Sequence, residues 1–218
     1  PKNRKLKQNE ILKFCKNSKV IVAGTEKYDS NLLSKLKKLK LISRVGIGLD
    51  NIDLNYCKKN NILVSYTPDA PTPAVAELAL GLSLSLLRMI NLADNNMREK
   101  KWNRYFGRNI NNSTIGIIGY GRIGSLYARL IKLMGCKKIL VNDIRANIKY
   151  PNYVTPCTKN YIYKNSNLIS IHTPLTKKTK NLISKLELKQ MSNDCLIVNT
   201  SRGNIINERD LYAHLIKN

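Results

Sequence analysis

The segment Thr114-Ile-Gly-Ile-Ile-Gly-Tyr-Gly-Arg-Ile-Gly124 constrains the fold of this chain more than any other. A short apolar run leads into Gly119-x-Gly121-x-x-Gly124, and a helical pattern from Ser125 to Met134 follows without a break. In such a strand–turn–helix each glycine has its own task. Gly119 permits the tight turn, Gly121 lets the backbone approach a ligand, and Gly124 lets the helix pack against its strand. The first N–H groups of the helix and the positive end of its dipole then face one point, which suits a pyrophosphate held by the loop with Arg122 and Ile123. Asp143 ends the next strand about 20 residues on, where an acid holds a ribose 2′-hydroxyl and repels a 2′-phosphate. Arg145, two residues later, softens that discrimination. The combination predicts a dinucleotide site, with NAD favoured over NADP.

The rest of the chain alternates in the same manner. Strands are expected at 19–23, 41–45 and 62–65, with helices at 31–39 and 55–60 between them, which implies a parallel sheet. The proline-punctuated stretch from Tyr66 to Pro73 ends this first unit. A helix at 74–90 is apolar nearly all round, as expected of one buried between domains or subunits, and a more polar helix follows at 94–102. A second series has strands at 114–118, 138–142, 168–171 and 195–199 and helices at 122–134, 184–190 and 208–216. The predicted fold class is α/β: two doubly wound parallel-sheet domains, 1–67 and 68–218, joined by the long helix.

A formal charge of +24 on 218 residues invites a nucleic-acid reading. The lysines, however, are spread over predicted helix faces (Lys35, Lys37, Lys38, Lys40; Lys177, Lys178, Lys180) with no interleaved aromatic platform. Scattered compositional bias is the favoured reading, and no nucleic-acid partner is expected. Five cysteines without C-x-x-C spacing fit free thiols in a reducing cytoplasm. With two histidines and no second ligand near either, no metal site is expected. No apolar run reaches the roughly 18 residues of a membrane helix.

Five segments in order carry a family resemblance: Arg44-Val-Gly-Ile-Gly-Leu-Asp-Asn-Ile-Asp53, Ala74-Val-Ala-Glu77, the glycine turn, His172-Thr-Pro-Leu175 and Asn199-Thr-Ser-Arg-Gly203. Together they resemble the D-isomer-specific 2-hydroxyacid dehydrogenases, which include phosphoglycerate, D-lactate and glyoxylate/hydroxypyruvate dehydrogenases. The resemblance spans Lys19 to Asn218. It implies a Rossmann-type NAD domain, a flavodoxin-like substrate domain, and a homodimer to which the 74–90 helix contributes. It implies that Arg202 is catalytic, orienting a 2-keto or 2-hydroxy acid and polarising its carbonyl. Its planar guanidinium, past the carboxyl end of a buried strand, suits bidentate contact with that group. The loop of Val45, Gly46, Ile47 and Gly48 would bind the substrate carboxylate through backbone amides, although a plain turn is the bland alternative.

On the cofactor side the resemblance adds Val75, His172, Thr173, Pro174, Thr179, Thr200 and Ser201 to the glycine turn and Asp143. His172 falls in the cofactor-side segment and is read as structural or cofactor-packing, not as the acid/base. Glu77, near a helix start, is not assigned catalysis.

Two departures stand out. The family's catalytic histidine and its glutamate partner follow the Arg-Gly motif, and these 218 residues end before reaching them. The chain is therefore expected to be truncated at both ends, with both domains incomplete, and to be inactive or nearly so. Ala23 stands where phosphoglycerate dehydrogenases often carry an arginine, which weakens a phosphorylated substrate, although Arg44 or nearby lysines are substitute cations. An NAD(H)-sensing regulator of the corepressor type is the alternative function.

Overall fold

A computed structural model describes residues 4–217; residues 1–3 and 218 of the predicted domains lie outside the described residues. The chain divides into two compact units, Pro1–Pro71 and Thr72–Asn218.

The first unit runs α1 (Gln8–Cys15), β1 (Val20–Ala23), α2 (Ser30–Leu33), β2 (Leu41–Arg44), α3 (Leu54–Lys59) and β3 (Leu63–Tyr66). Its strands form a parallel sheet in the order β1-β2-β3. Asp29 and Asp53 cap α2 and α3, their carboxylates accepting the N–H groups of Leu32 at 3.1 Å and Tyr56 at 2.9 Å. The helix expected at 31–39 ends at Leu33. Short turns replace it, with Leu36 N–H bonded to Leu33 O and Leu39 N–H to Leu36 O. A three-residue repeat keeps the leucines on one face, so Leu32, Leu33, Leu36 and Leu39 are all buried without a continuous α-helix. One face of the sheet packs on this cluster through Ile21, Ala23 and Ile42, while Val20, Val22 and Leu63 on the opposite face are exposed.

The second unit opens with α4 (Thr72–Leu87) and α5 (Ile90–Arg98). Met89, at φ +55°, separates them, and the two helices meet at a 67° bend. The expected helices at 74–90 and 94–102 are therefore displaced toward the N-terminus. No single helix among the described residues is long and apolar enough to cross a membrane.

There follow β4 (Thr114–Ile118), α6 (Arg122–Leu133), β5 (Lys138–Asn142), β6 (Thr155–Pro156), α7 (Lys159–Asn165), β7 (Leu168–Ile171), α8 (Lys185–Leu188), β8 (Leu196–Asn199) and α9 (Glu208–Leu215). The sequence reading lacked β6 and α7. A two-residue strand ending in proline has no periodicity to detect, and α7 carries only two buried side chains, Ile162 and Tyr163. All strands are parallel, in the order β6-β5-β4-β7-β8. β7 is buried throughout and β4 from Ile115 onward, because both faces of the sheet are covered. On one side Ile115, Ile117 and Val141 meet Tyr127 and Ile131 of α6 and Ala76, Ala79 and Leu87 of α4. On the other, Ile118, Leu140, Ile169 and Ile171 meet Ile162 and Tyr163 of α7, with Ile183, Leu188 and Ile205. The order reverses between β4 and β7, and the carboxyl ends of these two strands open a crevice there.

Candidate functional site

The glycine turn closes the carboxyl end of β4 at that crevice. Gly119 donates its N–H to Asn142 O at 2.8 Å, and His172 N–H is bonded to Ile118 O at 2.8 Å. Gly119 sits at φ +96°, and a Cβ there would lie 2.6 Å from His172 O. A Cβ on Gly124 would collide with Gly119 O, so the helix can start this close to its strand only as glycine. Gly121 differs from both: it caps α6 with no side-chain hydrogen bond, and a Cβ there would face open space. Two glycines thus serve the turn itself, and the third leaves room in front of a helix N-terminus.

In front of it lies a cleft of about 780 Å³ lined by Gly119, Gly121, Asp143, His172, Thr173, Pro174 and Thr179, among others. Seven predicted cofactor residues from three separate segments converge there. Arg122 and Ile123 are the first residues of α6, while Val75 in α4 and Thr200 and Ser201 after β8 do not line it. Thr179 fixes the wall, its hydroxyl donating to Pro174 O at 2.6 Å and accepting Thr176 N–H at 2.7 Å. The hydroxyls of Thr173 and Thr200 are buried without a hydrogen-bond partner. Thr173 lines the cleft, so its orphaned hydroxyl fits a polar ligand that completes it.

Asp143 carries the densest set of contacts. Its carboxylate accepts Tyr120 N–H at 2.8 Å and, from Arg145, the backbone N–H and Nε at 2.9 Å each and Nη2 at 3.1 Å. Burial opposes its charge, yet these hydrogen bonds and the guanidinium outweigh it and hold the carboxyl below the usual range.

His172 is half-buried as a residue, but its ring lies inside, tilted against Tyr127 with centroids 5.2 Å apart. Ser170 Oγ lies 2.9 Å from Nε2, and Nδ1 has no partner. Burial pushes its pKa down to about 4, so the ring is neutral at neutral pH.

Arg202 follows β8 at the same carboxyl edge of the sheet, half-buried, with Nη1 donating to Ser201 O at 2.8 Å. Asn199 holds this loop, its Nδ2 donating to Arg202 O and its Oδ1 accepting Ser201 N–H, while Ser201 Oγ ties back to Ile171 O.

In the first unit, the Val45–Gly48 loop follows β2, with Val45 exposed and Gly46 at φ +138°. Gly46 N–H is bonded to Thr67 Oγ1 at 2.8 Å, so that amide is already engaged and not open to a carboxylate. Arg44 is buried beneath the loop and bonded to Val45 O, too deep to act as the outward phosphate cation considered as a substitute.

Several site features escaped the sequence reading. Lys177 and Lys178 lie in a turn that lines the cleft, not on a helix face, and Lys159 joins them. Ser83, Tyr127 and Ser170 support His172 from the interior. No sequence spacing joins Ser83, Tyr127 and His172, which come from separate parts of the chain. Among the described residues no cluster of three or more His, Cys, Asp or Glu could hold a metal.

Counted within this unit, the strands run 3-2-1-4-5, with a glycine turn at the switch point, which defines a Rossmann-type nucleotide-binding domain. Residues 80–218 match the family model described as D-isomer specific 2-hydroxyacid dehydrogenase, NAD binding domain. The chain belongs to that family, and residues 80–218 match its NAD-binding domain. A hydroxypyruvate reductase of Thermotoga maritima is 36% identical over 97% of this chain and 69% of its own length. A D-3-phosphoglycerate dehydrogenase of Methanocaldococcus jannaschii is 34% identical over 96% of this chain and 41% of its own. A D-lactate dehydrogenase from Aquifex aeolicus, solved with NAD and lactic acid, superposes with a TM-score of 0.86 at 30% identity, over 98% of this chain and 64% of that one. The chain thus spans from about two fifths to about two thirds of the length of these relatives.

Proposed function

We propose that this chain carries the nucleotide site and the substrate-orienting arginine of an NAD-dependent oxidoreductase that interconverts a D-2-hydroxy acid and a 2-keto acid. The observation that carries this reading is the cleft at the switch point, where the glycine turn, Asp143 and the 172–179 segment meet. The α6 N-terminus with Arg122 and Ile123 would receive the pyrophosphate, and the Thr173 hydroxyl would bind one of the cofactor's polar groups. The nicotinamide supplies or accepts the hydride. Arg202 orients the acid through its carboxylate and polarises the carbonyl oxygen. In the first unit, the proposed substrate domain, the Val45–Gly48 loop would offer a carboxylate the amides of Ile47 and Gly48, since Val45 N–H is bonded to Ala23 O and Gly46 N–H to Thr67. 3-Phosphoglycerate is the less favoured substrate, since Arg44 is buried and Ala23 has no charge.

Reduction of the carbonyl needs a proton at the nascent alkoxide, and His172, buried and neutral, does not deliver it. The 218-residue polypeptide is therefore proposed to bind nucleotide with turnover about 10²–10⁴-fold below that of a chain containing a general acid. An NAD(H)-sensing role, which needs nucleotide binding without turnover, is the second reading. We further assign the chain to a homodimer, through apolar residues exposed on α4 and α5 such as Leu78, Leu82 and Met97. The buried thiols Cys57 and Cys136 suit a reducing, cytoplasmic compartment.

The experiment is an NADH fluorescence titration of the polypeptide with a parallel hydroxypyruvate assay. Saturable binding with little turnover is expected. Absence of binding sinks the site, and turnover matching intact homologues sinks the missing-acid argument. Tight nucleotide-dependent capture of a partner protein by a longer chain that also lacks turnover would favour the sensor.

A further inference from the structure

Asp143 stands where a dinucleotide-binding chain holds the adenosine ribose, yet its carboxylate is already saturated. Oδ1 accepts from Arg145 N and Nε, both at 2.9 Å. Oδ2 accepts from Tyr120 N at 2.8 Å and Arg145 Nη2 at 3.1 Å. A carboxylate offers about four acceptor positions, so none is left for a ribose hydroxyl. The latch is anchored a second time, because Arg145 Nη2 also donates to Tyr120 O at 2.8 Å. The Asp143 side chain is 8% exposed while that of Arg145 is 57% exposed. The acid is thus covered and its partner faces solvent, with no hydrogen bond at Nη1 among the described residues. Lys159, Lys177 and Lys178 line the same cleft. Beside one neutralised carboxylate the wall therefore presents three further cations.

Rejection of a 2′-phosphate depends on an uncompensated carboxylate at this position, since like charges repel and the acid bonds the bare hydroxyl instead. Both parts of that device are disabled here. We infer that the cleft accepts a 2′-phosphorylated adenosine, NADP(H), alongside NAD(H), with Arg145 as the residue that sets the ratio. The phosphate is met by Nη1 of Arg145, whose Nε and Nη2 are held by Asp143 and Tyr120, and by the lysine side chains as point charges. An unphosphorylated ribose must either do without Asp143 or displace Arg145 from it. This inference rests on the reading of the cleft as the nucleotide site.

The test is a pair of fluorescence titrations of the 218-residue polypeptide with NADH and NADPH, with 2′,5′-ADP and 5′-AMP as competitors. The NADPH dissociation constant is expected within about tenfold of that for NADH, with 2′,5′-ADP the stronger competitor. Arg145→Leu should raise the NADPH/NADH ratio about tenfold or more by removing one charge-assisted contact and freeing Asp143. Asp143→Asn should lower the ratio, and circular dichroism of both variants confirms their fold. NADPH binding more than about a hundredfold weaker than NADH would overturn the inference and leave the nucleotide site standing. A ratio unmoved by Arg145→Leu overturns it too. Binding of neither nucleotide removes the site and this inference together.

Discussion

Tyr127 on α6 bonds Ser83 on α4, oxygen to oxygen at 2.7 Å, in the interior of the nucleotide-binding unit. The direction of this bond follows from its neighbour. Ser83 Oγ lies 2.7 Å from Ala79 O, which can only accept, so the serine proton points there and the tyrosine must donate to Ser83. Ser170 also approaches the Tyr127 hydroxyl and lies 2.9 Å from His172 Nε2. A buried polar chain thus runs from α4 through α6 to the segment under the glycine turn. Tyr127→Phe should cost about 1 kcal/mol in urea unfolding, and Ser83→Ala about 1–3 kcal/mol because it removes the acceptor of the buried tyrosine proton. The double variant should cost less than the sum, as expected for two residues sharing one bond. Strict additivity would show that the two groups act independently.

The three glycines should separate stability from binding. Alanine at Gly119 meets a positive φ and a carbonyl 2.6 Å from its Cβ, and alanine at Gly124 meets Gly119 O. Each should lower stability by about 2 kcal/mol or more. Alanine at Gly121 has open space, so the melting temperature should hold while nucleotide affinity drops about tenfold or more. Thermal melts with NADH titrations check this, and equal melting temperatures for all three variants would refute it.

His172 should leave a signature in acid stability. Its folded pKa, about 4, lies below the unfolded value of 6.5, so the unfolded chain binds a proton first as pH falls. Stability is complete above pH 6.5 and declines from there toward pH 4, by up to about 3 kcal/mol. A His172→Gln variant, unable to titrate, should lack this component even if it is less stable overall. Denaturant midpoints measured every half pH unit for both proteins decide the matter, and parallel curves would place the histidine in contact with water.

The α4–α5 side of the unit exposes an apolar set: Leu78 and Leu82 one helical turn apart, Ile90, Met97, and beyond them Trp102 at 80% and Phe106 at 91% exposure. Large aromatic side chains left this open mark contact surfaces. Sedimentation should show self-association of the polypeptide, weakened by Trp102→Ser with Phe106→Ser, and burial of Trp102 should blue-shift its emission. A monomer at all concentrations with unshifted emission would rule this face out.

Much of the architecture was legible because its determinants are local. The strands at 114–118, 138–142 and 168–171 match their expected bounds, since a run whose centre is buried on both faces is mostly apolar there. Helix ends were read less well. Met89 adopts a left-handed turn that no residue type announces, and the leucines of 32–39 satisfy one buried face with a turn spacing as readily as with a helix. At the site, Gly119 and Gly124 declared themselves because backbone geometry excludes every other residue there.

By itself, the order of residues determined the parallel α/β plan, the glycine turn and the acid at the end of β5, all set by periodicity and backbone sterics within about 30 residues. Only the tertiary structure decided what each charge faces. It turned Arg145 onto Asp143, buried Arg44 under its own loop, engaged Gly46 N–H with Thr67, and brought Lys159 and Lys177 to one cleft. Electrostatic roles depend on distance and burial, and the folded path of the chain sets both.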